Sequence, residues 1–219
     1  MKRAIIFANG IMERPQRITS EITTSDLIIA ADGGCLHCKT LGLIPNVIIG
    51  DFDSLSAEEI ADYQQAGSKL IRYPAHKDET DLELALLYAN EQDVEEVLIF
   101  GALGARWDMT LANLLLPTQP VFNNINIRLL DGTQELTLLR GGETLFLDGQ
   151  PGERVSLIPL AGDASGITTI GLEYPLDNEN LLLGSPRGVS NVLRNERAQI
   201  VLKDGILMCI LIRENGQQA

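Results

Sequence analysis

The feature that most constrains this chain is a series of five short apolar runs: Ala4 to Ala8, Leu27 to Ala31, Val47 to Ile49, Lys69 to Tyr73 and Val97 to Phe100. They are rich in Ile, Val and Leu and do not alternate strictly, the pattern of strands buried on both faces. Helix signals separate them. Ser56-Ala57-Glu58-Glu59 reads as a capping box opening a helix that ends near Gly67. Thr80-Asp81-Leu82-Glu83 reads as a second, opening a helix to about Gln92. The β-α-β-α order predicts a parallel sheet with helices on its faces.

From about Asp131 the pattern changes to short strand-like runs set between Gly, Pro, Asp and Asn: Glu135 to Leu139, Thr144 to Leu147, Arg154 to Ile158 and Ile167 to Leu172. Near the end, Gln199 to Lys203, Asp204-Gly205 and Ile206 to Ile212 read as a hairpin closed by a type I′ turn. The expected fold class is therefore α/β plus all-β. An N-terminal parallel α/β (Rossmann-like) domain spans residues 1–131, with Asn126 to Leu130 as its last strand, and a C-terminal β-sandwich spans residues 132–219.

Charge narrows the partners. Seventeen Lys and Arg against 30 Asp and Glu leave a net charge of -13, which repels a nucleic-acid backbone or an anionic membrane. Small phosphorylated molecules stay open, because metal ions and backbone amides hold them locally. Three cysteines do not make a disulfide framework. No apolar stretch reaches the roughly 18 residues of a membrane span. Asn9-Gly10 cuts the first apolar run too early for a signal peptide, so the expected compartment is the cytoplasm.

The polar residues fall where a parallel α/β sheet binds ligands, after the strands. Asn9 and Gly10 follow the first run; Asp32, Gly33 and Gly34 the second; Gly50, Asp51, Phe52 and Asp53 the third; Lys77, Asp78 and Asp81 the fourth; and Gly101 to Asp108 the fifth. Asp51 and Asp53, at i and i+2 of an extended segment, point the same way and repel unless a cation lies between them. Oxygen ligands with no His or Cys beside them suit magnesium rather than zinc. Asp81 is a candidate third carboxylate. The alternative uses the same residues without a metal: Asp51 and Asp53 cap turns, and Asp81 favours its helix dipole. Asp32-Gly33-Gly34 leads into a helix, with glycines that let backbone amides approach an anion. Arg106 reaches phosphate in one reading and pairs with Asp108 in the other. The chain has neither Gly-x-x-x-x-Gly-Lys-Ser/Thr nor Gly-x-Gly-x-x-Gly, so neither a P-loop nor a standard dinucleotide site is indicated. Cys35 and Cys38 lack a second ligand pair for zinc and read as small packing residues.

Taken together these segments resemble the thiamine pyrophosphokinase family. The resemblance runs through Ala31-Asp32-Gly33-Gly34, Gly50-Asp51-Phe52-Asp53-Ser54, Lys77-Asp78-x-Thr80-Asp81-Leu82-Glu83, Gly101-Ala102-x-Gly104-x-Arg106-x-Asp108 and Leu111-Ala112-Asn113. It continues in the β-rich half through Ser156 to Leu160, Gly171-Leu172-x-Tyr174-Pro175-Leu176 and Arg187-Gly188-Val189-Ser190-Asn191. It departs at Ala105, Met109 and Val192, where the family often has Gly, His and Glu. The resemblance implies a magnesium-dependent homodimer that moves the pyrophosphoryl group of ATP onto the hydroxyl of thiamine and releases AMP. By that resemblance Asp51, Asp53 and Asp81 carry the chemistry and hold magnesium, with Asp53 and Asp81 both open as acceptor of the hydroxyl proton. Asp32, Gly33, Gly34, Lys77, Arg106 and Asp108 serve the nucleotide. Ser190 and Asn191 contact thiamine in the active site of the other subunit. A pyrophosphokinase for another alcohol, such as a hydroxymethylpterin, and a non-catalytic nucleotide-binding module are the alternatives.

Overall fold

The computed structural model describes residues 2–13, 15–104 and 106–213. They fall in two compact units, Met1–Gly132 and Thr133–Ala219. No helix among the described residues is long and apolar enough to cross a membrane.

The first unit is built on strands β1 (Arg3–Phe7), β2 (Leu27–Ala31), β3 (Val47–Gly50), β4 (Lys69–Arg72), β5 (Glu96–Phe100) and β6 (Asn126–Asp131). Their order is β6-β5-β1-β2-β3-β4, every neighbouring pair parallel. The chain thus runs outward from β1 to β4, then returns to the other side of β1 for β5 and β6. Helices α1 (Pro15–Glu21), α2 (Cys35–Thr40), α3 (Ala57–Gln65), α4 (Asp81–Glu91) and α5 (Trp107–Leu115) connect them. The apolar runs of β1, β2, β3 and β5 are buried as expected, with Phe7 and Phe100 stacked at 5.6 Å between ring centroids. β4 corrects that expectation: it is the edge strand, and Lys69 and Arg72 are exposed.

The helix starts follow local chemistry. Ser56 and Glu59 form the reciprocal capping box, Ser56 Oγ accepting from Glu59 N at 3.2 Å and Glu59 Oε2 accepting from Ser56 N at 3.1 Å. The second expected box is only half formed. Thr80 Oγ1 accepts from Glu83 N at 3.2 Å, but the Glu83 carboxylate accepts from Gln119 Nε2 at 3.0 Å. Cys35 and Cys38 are free thiols packed in the apolar core beside Ile5, Ile48 and Phe52. Burial pushes the Cys35 thiol up to about 12 and Cys38 in the same direction, which suits packing rather than redox chemistry.

The second unit contains β7 (Gln134–Arg140), β8 (Thr144–Asp148), β9 (Arg154–Pro159), β10 (Ala164–Ile170), β11 (Glu179–Leu181), β12 (Asn191–Val192), β13 (Arg197–Val201) and β14 (Ile206–Ile212). β14 lies antiparallel between β7 and β9, with β12 on the far side of β9. A second antiparallel sheet runs β11-β10-β13-β8. Leu139, Val155, Leu157, Leu207 and Leu211 of the first sheet share one apolar core with Leu147, Ile167, Leu181, Ala198 and Ile200 of the second, as in a sandwich.

The expected hairpin at Asp204-Gly205 does not form. β13 pairs with β8 and β10, whereas β14 pairs with β7 and β9, so the chain changes sheets at this turn. A type I′ turn needs positive φ at both central residues, and only Gly205, at φ 97°, has it. Ala198, Ile200 and Leu202 face Leu207, Cys209 and Leu211 across the core. A hairpin would place both apolar stripes in one sheet and leave the opposite wall unfilled.

Candidate active site

At the carboxyl end of β3 the chain turns sharply to present two acids. Phe52 sits at φ 66°, a left-handed conformation strained for a bulky side chain. Its ring is buried in the core. Asp51 and Asp53 flank it, and Asp53 N donates to Asp51 Oδ1 at 3.1 Å. At the end of β2, Asp32 is also left-handed, at φ 42°, and is 8% exposed. One carboxylate oxygen each from Asp32, Asp51 and Asp53 lie within 4.8 Å of one another.

Three carboxylates this close raise each other's energy. Burial lifts the Asp32 carboxyl above its ordinary value, and the charges of Asp81 and Asp51 push the same way. Hydrogen bonds from Ser54 Oγ, at 3.0 Å, and from the Gly33 amide oppose the shift without cancelling it. An all-oxygen set of this kind, with surplus negative charge, fits a hard divalent cation such as magnesium.

Asp81 stands outside that trio. It is the first residue of α4, and its Oδ1 accepts from Lys77 Nζ at 2.7 Å. Beside it lies a cleft of about 220 Å³, whose walls include Asn9, Asp32, Asp81, Arg106, Met109 and Asn113. The cleft opens where the strand order reverses, at the ends of β1 and β5, the place where open α/β sheets bind ligands. Its floor is stiff. Gly10 N donates to Gly101 O at 2.6 Å and Ile11 N to Leu103 O at 3.0 Å, lacing the two loops together. A Cβ on Gly10 would lie 2.4 Å from Gly101 O, so only glycine permits the approach. From α5, Asn113 Nδ2 donates to Ala102 O at 2.6 Å and Thr110 Oγ1 accepts from Gly104 N at 3.1 Å. His37 Nε2 lies 2.9 Å from Gly10 O.

The remaining candidates are placed as follows. Gly33 and Gly34 are buried; a Cβ on Gly34 would lie 1.9 Å from Phe7 O, so these glycines serve close packing of the first two strand ends. Arg106 borders the cleft and also pairs with Asp108 at 2.5 Å, both side chains being well exposed. Ala105 lies outside the described residues. In the second unit Ser190 is exposed and left-handed at φ 64°. Asn191 Oδ1 accepts from Tyr174 N at 3.0 Å and its Nδ2 donates to Tyr174 O at 2.7 Å, clamping the Tyr174 backbone. Sequence reasoning assigned no role to Asn113, Met109 or Arg72. Asn113 was visible only as part of the Leu-Ala-Asn match, and Arg72 carried no signal.

Residues 18–129 match the family described as thiamin pyrophosphokinase, catalytic domain, and residues 144–207 match thiamin pyrophosphokinase, vitamin B1 binding domain. The thiamine pyrophosphokinase of Bacillus subtilis is 34% identical over 210 residues, covering 96% of this chain and 98% of that protein. Thiamine pyrophosphokinase 1 of Oryza sativa is 29% identical over 77% of this chain and 67% of its own length. The Bacillus subtilis crystal structure superposes with a TM-score of 0.87 at 30% identity, covering 98% of this chain and 100% of that one. A thiamin pyrophosphokinase family protein of Enterococcus faecalis gives 0.81 at 29% identity, with 98% of this chain and 100% of that one covered. The pterin and non-catalytic readings find no support in these matches. The chain belongs to the thiamine pyrophosphokinase family.

Proposed function

We propose that this chain transfers the pyrophosphoryl group of ATP to the hydroxyl of thiamine, releasing AMP, with magnesium held by the acids at the ends of β2 and β3. The observation that carries the proposal is the Asp32, Asp51 and Asp53 trio, whose oxygens gather within 4.8 Å and which shares Asp32 with the cleft. Bound there, magnesium supplies charge neutralisation to the phosphate oxygens. Asp32, Asp51 and Asp53 would hold the metal, and Asp81, paired with Lys77 at 2.7 Å, would be a further candidate carboxylate for it. The laced loops 8–11 and 101–104 fix the nucleotide, and Arg106 steadies the charge on the departing AMP.

In the same proposal the protein is a cytoplasmic homodimer, and Ser190 with Asn191 meets thiamine in the partner's active site. The clamp on Tyr174 supports a binding role, because it holds an exposed aromatic residue in place.

Incubation with ATP, magnesium and thiamine, followed by separation of the products, tests the reaction. AMP and thiamine diphosphate are expected in equal amounts. ATP binding without AMP release sinks it. Mixing the Asp53→Asn and Asn191→Ala variants tests the shared site. Assayed at thiamine well below the KM of the Asn191→Ala variant, activity regained in the mixture supports it, and no gain over either variant alone refutes it.

A further inference from the structure

We infer that Arg72, on the edge strand and outside the cleft, is the positioning residue that sets the spacing of the Asp51 and Asp53 carboxylates. The inference rests on the metal reading above and concerns how this chain makes that site. Arg72 is opposite Gly50 in the β3–β4 register, and the next residue, Tyr73, donates its N–H to Gly50 O at 2.9 Å. From there the Arg72 side chain reaches back over the turn. Nη1 donates to the backbone carbonyl of Asp51 at 2.9 Å, and the guanidinium lies 4.7 Å above the Phe52 ring. One planar cation thus grips the two residues that open the turn. One of them, Phe52, is held at φ 66°, which it would leave if free.

The choice of acceptor matters. Arg72 bonds the carbonyl of Asp51 and not its carboxylate, so it braces the turn without neutralising the acids a metal needs. A purely electrostatic role and a positioning role therefore predict opposite signs. A guanidinium near three carboxylates repels an incoming cation, so its removal would tighten metal binding if charge were all that counted. If it positions the turn, removal loosens the ligand set and weakens binding. Lysine separates the roles again, because it keeps the charge but loses the flat stack and the fork of donors.

The test is Mn2+ binding, read by electron paramagnetic resonance, to the full chain saturated with α,β-methylene ATP, whose bridging carbon blocks transfer. Arg72→Ala is expected to weaken Mn2+ binding about tenfold, as loss of a residue supporting metal ligands does. Arg72→Lys should weaken it nearly as much. The side chain is exposed, so both variants should keep the wild-type circular dichroism spectrum. Unchanged or tighter binding in Arg72→Ala overturns the inference, as does wild-type binding in Arg72→Lys. Asp53→Asn serves as the control. If it binds Mn2+ as the wild type does, the metal reading itself falls and takes the role of Arg72 with it.

Discussion

The two candidate segments, Asp51 to Asp53 and Ser190 to Val192, each turn on a left-handed residue: Phe52 at φ 66° and Ser190 at φ 64°. They use their polar groups in opposite ways. In the first, carboxylates converge and repel, and Asp32 is driven toward protonation by burial and by its acidic neighbours. In the second, the Asn191 amide is bonded on both ends, accepting from Tyr174 N and Val192 N and donating to Tyr174 O, with one N–H left over. The first segment gathers like charge that a cation would relieve; the second is tied to its own backbone. Strain of the first kind collects at catalytic sites, and removing it trades activity for stability. The second kind costs stability when it is removed.

The sharpest test is Asp53→Asn. Turnover should fall by roughly 100-fold or more, the cost of losing a metal-holding carboxylate. The melting temperature should not fall, because the variant loses a repulsive charge and the amide still fits an exposed turn. AMP release and a thermal melt on one preparation check both. Near-normal turnover would remove the metal site.

Asn113 lies between the two cases. Its Nδ2 holds Ala102 O, while its buried Oδ1 has no hydrogen-bond partner among the described residues. Asn113→Asp sets a carboxylate against that carbonyl, so activity should drop about tenfold near neutral pH. Burial raises a carboxyl, and once protonated its O–H donates to Ala102 O. Activity relative to wild type should therefore recover as the pH is lowered. Asn113→Leu, with no donor at any pH, should not recover. Identical pH profiles for the two variants would mean the clamp does not matter.

These residues also show what a sequence can reveal. The acids after β2, β3 and β4 were legible because strand runs and parallel order place every following loop on one edge. Sequence reasoning nevertheless grouped Asp51 and Asp53 with Asp81 and assigned Asp32 to the nucleotide, whereas the fold gathers Asp32 with Asp51 and Asp53. Which loops meet depends on turn geometry that residue type does not reveal. Arg72 and Asn113 were not legible: each acts through a backbone carbonyl, of Asp51 and of Ala102, and backbone partners leave no mark on residue type. Asp204-Gly205 misled for a related reason. Its turn chemistry is local, while the choice between one sheet and two depends on which strands flank it. Glu83 likewise has box spacing but is taken by Gln119, far away in sequence.

The backbone-tied segment gives a smaller effect. Asn191→Ala removes both bonds to Tyr174 and should destabilise the chain by about 1–2 kcal/mol. The KM for thiamine should rise more than kcat falls, because the loop loses shape and the carboxylates do not. Chemical denaturation and steady-state kinetics read the two effects. A fall in kcat alone would place Asn191 in the chemistry and erase the contrast.

The smallest effect bears most directly on the contrast. Asp32 has a folded carboxyl pKa raised above its ordinary value near 3.8, chiefly by burial and then by Asp81 and Asp51. Well below 3.8 both the folded and unfolded chains carry the proton, and the site costs nothing. As pH rises through 3.8 and on through the raised folded value, the unfolded chain loses the proton first and stability falls; above both it stays at the lower level. Asp32→Asn keeps an acceptor for Ser54 Oγ and the Gly33 amide but carries no charge. The metal-free variant should therefore melt a few degrees above wild type at neutral pH, with the gap closing as pH drops through the carboxyl range. Adding magnesium should raise the wild-type melt and leave the variant nearly unmoved. If Asp32→Asn instead melts below wild type at neutral pH, Asp32 is a structural anchor of the same kind as Asn191, and the acids at the sheet edge are not held in tension awaiting a cation.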